Sequence, residues 1–398
     1  MNRTNKACNN SIRAYDDILP YCEMVEAERE FVADLVARDK PKNILEVGVS
    51  AGGSTVVLLD AVKERIDAHV TSVDIYSTWS RDDTLPIGWL TDLEHPNSPQ
   101  WTLRAGKDFS EIADSFTEKF DFLLLDTMHA HPCESLNFLT ILPYLTDDAM
   151  VVLHDIGLYS DAENTASNAC KLLYDVVTAE KYECFDYSYE LAAHVMNRKI
   201  YYPNIGAFRI NSDTRKYIRD VFSMLRYPWG VQMNSLGAIR GVISQNYNDE
   251  CLRLFKSAAA VNLSYLFCGN SYDFSSIGNV FCQIAANEQR VASALREFSR
   301  IIFYGAGNLC RTAIAFFEAF NFPMPAELWD KNTGKSSVGG YDVVMPDFKK
   351  LNETELVIVT IQNNLIAGGI TGNRLLFDCP NVFTLYELFD KLITHKNT

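Results

Sequence analysis

The stretch NILEVGVSAGGST, from Asn43 to Thr55, constrains this chain more than any other. Its apolar half predicts a buried strand, and the small residues that follow predict a tight turn into a helix. Glu46, Gly48, Ser50 and Gly52 fall at alternating positions across that handover, where missing side chains let a ligand reach the backbone. A dinucleotide fingerprint, G-x-G-x-x-G, directs the helix N-terminus at a pyrophosphate. Here Glu46 occupies the place of the first glycine. A carboxylate repels a doubly negative pyrophosphate and attracts a cationic amino acid moiety and a sulfonium. The acid therefore points to S-adenosylmethionine.

The rest of the chain supports an α/β frame around this turn. Helical spacing of Met24, Phe31 and Leu35 predicts an amphipathic helix over 18–38, broken by Asp39, Lys40 and Pro41. Apolar runs then recur at 69–76, 101–106, 120–126, 149–155, 181–187 and 204–210, separated by helical stretches. Continuous Val, Ile, Leu and Phe runs of this kind predict a largely parallel sheet covered on both faces. Residues 1–210 thus read as a doubly wound, Rossmann-like α/β domain. The pattern of 211–297 predicts a helical bridge ending in a linker at 269–279, rich in turn formers. A second strand, glycine turn and helix begin at RIIFYGAGNLC, so 298–398 is expected to form a smaller Rossmann-like domain. At 398 residues there is chain enough for both cores.

Charge and cysteine usage narrow the partners. Lys and Arg number 36 against 51 Asp and Glu, a net charge of −15 that opposes loose binding to nucleic acid or anionic lipid. The ten cysteines, Cys8 to Cys379, form no CxxC pair, as expected of reduced thiols. No stretch reads as a signal peptide or a membrane span, and a cytoplasmic location is expected.

The segment 43–210 resembles class I S-adenosylmethionine-dependent methyltransferases, whose first motif reads acid-x-Gly-x-Gly/Ser-x-Gly. Glu46, Gly48, Ser50 and Gly52 match it. The family's second landmark, an acid that binds both ribose hydroxyls, matches Asp74 in TSVDIY. The segment RAGKDF is similar to the one that borders adenine, with Asp108 as the implied contact. LLLDTMHAHP and VVLHDIG look like the branch of macrolide-sugar O-methyltransferases and cephalosporin hydroxylase-like proteins. There the fourth strand ends Asp-Gly-Asp-His. Asp126 and His129 match the ends of that pattern, while Thr127 and Met128 replace its middle. The resemblance implies a divalent cation held by Asp126, His154 and Asp155. Carboxylates suit Mg2+, and the histidine shifts preference toward Mn2+.

Methyl transfer to a hydroxyl needs alignment and removal of a proton. His129 is the first choice for that base, beside Asp126. His131 and His154 are its reserves, with a loop hydrogen bond the alternative role for His131. Tyr187, Tyr189 and Tyr201 are placed either in an acceptor pocket or in core or subunit packing. RYPWGVQM is open to the same two readings. Gly305, Gly307 and Asp330 suggest a dinucleotide-like turn in the smaller domain, where sugar-modifying enzymes hold a nucleotide-sugar or nothing. The expected activity is O-methylation of a sugar or other hydroxylated metabolite, with a homodimer plausible. The alternatives are N- or C-methylation on the same scaffold, or a nucleotide- or NAD-binding protein acting through Gly305 to Asp330.

Overall fold

The computed structural model describes residues 21–157, 169–184, 204–231, 233, 235–268, 280–281, 283–332, 334, 337–348, 351–361, 363–372 and 381–394. Tyr187, Tyr189, Tyr201 and the 269–279 linker lie outside the described residues. The chain divides into two compact units. The first takes in the described residues of 1–129, 144–175 and 179–215, and the second those of 130–143, 176–178 and 216–398.

Among the described residues the main sheet of the first unit has seven strands where the apolar runs place them: β1 (Asn43–Val47), β2 (His69–Asp74), β3 (Trp101–Ala105), β4 (Phe120–Leu125), β5 (Leu145–Leu153), β6 (Glu180–Glu183) and β7 (Gly206–Arg209). Their order in the sheet is β3-β2-β1-β4-β5-β7-β6. The first five pair in parallel, and β7 is antiparallel to both neighbours. This is the expected doubly wound, mostly parallel α/β fold. Phe122–Leu125 of β4 and Ala149–Leu153 of β5 are unbroken apolar runs because both of their faces are buried. Ile44, Val70, Phe122, Leu124, Met150 and Val152 share one core with Val32 and Val36 of α1 (Glu26–Asp39) and Val56 and Leu59 of α2 (Gly53–Val62).

Two local features depart from the expectations. Helix α1 begins at Glu26 rather than at Ile18, since the Glu28 side chain accepts the Val25 N–H at 2.7 Å and closes the N-terminus there. Residues 18–20 lie outside the described residues. A short antiparallel hairpin, Thr78–Trp79 with Asp82–Pro86, also interrupts the α/β alternation. Its polar, largely exposed strands lack the apolar alternation that would announce them.

The chain runs from β1 outward to β2 and β3, then returns to β4 on the other side of β1. That reversal places a switch point between the carboxyl ends of β1 and β4, where open α/β sheets bind ligands. Gly48 sits there with φ +92°, and a Cβ on it would lie 1.7 Å from the Asp126 carbonyl oxygen.

The second unit carries helices Ile218–Met224, Leu236–Asn246, Asp249–Cys268 and Glu288–Arg296, in keeping with the helical pattern of 213–267. Its six strands are β8 (Arg300–Tyr304), β9 (Glu327–Trp329), β10 (Ser337–Val338), β11 (Tyr341–Val344), β12 (Glu355–Val359) and β13 (Val382–Thr384), in the order β10-β11-β9-β8-β12-β13. All pairs but β10–β11 are parallel. The β10–β11 hairpin turns on Gly339 and Gly340, both at positive φ, a two-residue signal that the sequence displayed. Helix α3 (Asn308–Phe320) follows the glycine turn after β8, as expected.

Substituting Gly48 by alanine should therefore destabilise the first unit by about 3 kcal/mol or more, through a disallowed φ and a backbone clash. Thermal unfolding checks this; a midpoint within a degree of wild type would contradict the close approach.

Candidate functional site

The glycine turn is held from three sides. Asp74, at the end of β2, accepts the N–H groups of Val49 and Ser50 on Oδ2 at 2.9 and 3.1 Å, and that of Tyr76 on Oδ1 at 2.9 Å. The segment after the hairpin adds Gly88 N–H to the Ser50 carbonyl and Leu90 N–H to the Ala51 carbonyl, both at 3.0 Å. Trp79 donates its indole N–H to Ser50 Oγ at 3.2 Å. Behind the turn, Glu46 is completely buried and accepts hydroxyls from Ser54 at 2.5 Å, Thr55 at 2.7 Å and Ser72 at 2.6 Å. Burial pushes its carboxyl up to about 7, and the nearby Asp126 charge adds to the rise, against three hydroxyls that favour ionisation. Asp108 follows β3 and caps the short helix Phe109–Ile112, accepting the Ser110 N–H at 2.8 Å. Burial raises its pKa, opposed by the Ser110 hydrogen bonds.

At the carboxyl ends of β4 and β5 four predicted residues converge. His129 Nε2 lies 3.1 Å from Asp155 Oδ2 and 3.6 Å from Asp126 Oδ1. His154 Nδ1 lies 3.4 Å from Asp126 Oδ2 and 3.5 Å from Asp155 Oδ1. Each carboxylate thus turns one oxygen to each histidine. The side chains of Asp126 and His129 are 19% and 20% exposed, those of His154 and Asp155 only 3% and 4%, so the first pair faces solvent and the second lies beneath it. Burial by itself lowers the His154 pKa, but the charges of Asp155, Asp126 and Glu28 together raise it well above the ordinary value. Ser50, His129 and Asp155 all adopt φ between 53° and 58°. Left-handed backbone at non-glycine residues costs about 1–3 kcal/mol each, and such strain gathers where side chains must be aimed.

One atom each from Asp126, His154 and Asp155 fall within 4.8 Å of one another. The 3.4–3.5 Å spacing from the imidazole nitrogen to the two carboxylates suits a divalent cation with bonds of about 2.0–2.2 Å. His131 falls in the other unit, buried, and burial lowers its pKa to about 4, which keeps it neutral at pH 7.

A family model described as a methyltransferase domain matches residues 45–156, from the strand before the glycine turn to the residue after Asp155. Residues 45–156 are thus similar to a methyltransferase domain. No curated protein matches the chain. Among solved structures, the O-methyltransferase TomG from Streptomyces achromogenes, involved in tomaymycin synthesis and in complex with SAM, is 15% identical; the match covers 50% of this chain and 86% of that one at a TM-score of 0.37. An O-methyltransferase from Bacillus cereus in complex with SAH is 14% identical, with 49% and 86% covered at a TM-score of 0.37.

Two residues around this cluster were not legible in the sequence. Glu28 of α1 is buried with Oε2 3.2 Å from His154 Nε2, and Asn204 donates to Asp155 Oδ1 at 2.8 Å. Glu28 follows Val25, which is no capping residue, so nothing local announces either its bond to the Val25 N–H or that it points inward. The three hydroxyls on Glu46 were partly legible, since Ser54 and Thr55 close the motif itself.

A carboxyl whose pKa is raised on folding stabilises the folded state fully below its unfolded value of 4.5 and loses that contribution as pH rises through about 7. Wild type should lose about 3 kcal/mol across this window from Glu46, and Glu46→Gln should flatten that part of the profile. Urea unfolding at pH 5 and pH 8 measures the difference.

Proposed function

We propose that this methyltransferase transfers the methyl group of S-adenosylmethionine to a hydroxyl of a small metabolite, a sugar or nucleotide-sugar being the favoured class. The observation that carries the reading is the sharing of Asp126 and Asp155 between two histidines beside the glycine turn. A sulfonium donor carries its own positive charge and needs alignment; a hydroxyl acceptor additionally needs a proton acceptor.

In this reading Gly48, Ser50 and Gly52 let the donor approach the backbone, Asp74 takes the ribose hydroxyls, and Asp108 borders the adenine. Three of the roughly four lone-pair positions of Asp74 hold the turn, and the one left, on Oδ1, is open to a ribose hydroxyl. Glu46 acts through its field, because its oxygens are already taken by three hydroxyls. His129, with Nε2 against Asp155 and Asp126 and Nδ1 3.8 Å from the Cys170 sulfur, is the residue assigned to take the acceptor proton, and the two carboxylates favour the imidazolium that results. As the acceptor oxygen bonds to the methyl carbon, the carbon–sulfur bond breaks and S-adenosylhomocysteine leaves.

Asp126, His154 and Asp155 would hold a divalent cation, Mg2+ or Mn2+. When bound, such a cation anchors acceptor oxygens and makes a hydroxyl more acidic. The same two carboxylates also face His129, so the residues that would hold the cation adjoin the one assigned as base.

Calorimetry with S-adenosylhomocysteine should show binding that Asp74→Ala weakens by about 2 kcal/mol, roughly 30-fold. Tight NAD binding that ignores Asp74→Ala would move the function to the second unit instead. Once a mass-shift screen identifies an acceptor, His129→Ala should lower kcat by about 10²–10⁴ with donor affinity unchanged. Location of the new methyl on nitrogen or carbon would replace the O-methylation reading, and full activity of Asp155→Ala under chelation would remove the cation from it.

A further inference from the structure

The methyltransferase match ends at Ile156 and begins at Leu45, but the polar cluster continues beyond both limits. Glu28 lies on the first turn of α1, with 1% of its side chain exposed. Its Oε2 accepts the Val25 N–H at 2.7 Å and lies 3.2 Å from His154 Nε2. Its Oε1 accepts from Asn204 Nδ2 at 3.3 Å, and the same amide donates to Asp155 Oδ1 at 2.8 Å. Asn204 is fixed in turn, since its Oδ1 accepts the Gly157 N–H at 3.2 Å. The result is a closed ring of Glu28, His154, Asp155 and Asn204, drawn from α1, the segment just after β5 and the segment just before β7.

We infer that Glu28 is a positioning residue: it holds His154 by Nε2 so that Nδ1 is presented to Asp126 and Asp155, with Asn204 locking Glu28 and Asp155 in register. This rests on the cation reading given above. An imidazole that ligates a metal through one nitrogen almost always donates the other N–H to a carboxylate, which sets tautomer and ring orientation. Glu28 stands at that second nitrogen. A capping role for Glu28 accounts for its bond to Val25 but not for a buried carboxylate turned onto a buried imidazole, an arrangement that is costly unless the pair is put to use. Helix α1 is accordingly part of the site rather than only a cover for the sheet.

Calorimetric titration of Mn2+ into the full chain tests the inference, using wild type, Glu28→Gln, Asn204→Ser and Asp155→Ala, each with S-adenosylhomocysteine affinity and thermal midpoint measured in parallel. The expected result is loss of Mn2+ binding in Asp155→Ala and a 10–100-fold weaker Kd in Glu28→Gln, with Asn204→Ser also weakened. S-adenosylhomocysteine affinity should stay within about twofold of wild type in the last two. Wild-type Mn2+ affinity in Glu28→Gln and Asn204→Ser would reduce Glu28 to a helix cap and overturn the inference while leaving the cation reading intact. If Glu28→Gln does not fold, Asn204→Ser decides by the same comparison. No Mn2+ binding by wild type, or equal binding by Asp155→Ala, overturns the cation reading and the inference with it.

Discussion

The approach of Gly48 to the carbonyl of Asp126 is the constraint on which the arrangement of the first unit turns. Strands β1 and β4 are neighbours in the sheet, and their exits must pass each other before one leads to a helix and the other to the histidine-bearing segment. With no side chain at Gly48, the carbonyl oxygen occupies the space a Cβ would fill. The glycine turn and the cluster of histidines and carboxylates are thereby brought together by the backbone. Asp74 then keeps the loop open by accepting its amide protons, which converts a flexible glycine turn into a fixed rim.

Around this junction the chain buries an unusual density of carboxylates, and each is matched differently. Glu46 is surrounded by hydroxyls, which favour its ionisation and hold to about 7 a rise that burial drives. Asp74 is matched by backbone amides, which can only donate. Glu28, Asp126 and Asp155 are matched by histidines and by Asn204. Breaking one member of such a buried set leaves the others uncompensated, so these residues act as a unit rather than as independent contacts.

The second unit repeats the backbone device without the cluster. Gly48 N–H reaches the Val73 carbonyl at 2.9 Å, and Gly305 N–H reaches the Trp329 carbonyl at 2.7 Å. Asp330 accepts the Ala306 N–H at 2.7 Å, much as Asp74 accepts from Val49 and Ser50. At the place of Asp126, however, β12 leads into Thr360, whose hydroxyl donates to the Gly305 carbonyl at 2.7 Å and ties the turn down. The two turns share a scaffold and differ in what faces them. No helix among the described residues is long and apolar enough to cross a membrane.

Much was determined by sequence alone, because the signals were local. Apolar runs placed the strands of the first sheet, the small residues after Val47 announced the turn, and Asp126, His129, His154 and Asp155 were singled out by standing at strand ends. The hairpin at Thr78–Pro86 stayed hidden because its strands are too short and polar to alternate. Only the tertiary structure decided that Glu46 is sealed by hydroxyls, that two carboxylates are divided between two histidines, and that Glu28 and Asn204 join them from 176 positions apart. Periodicity and turn chemistry act over a few residues and are written in the chain, whereas the partner of a buried charge depends on which elements the packed sheet brings side by side.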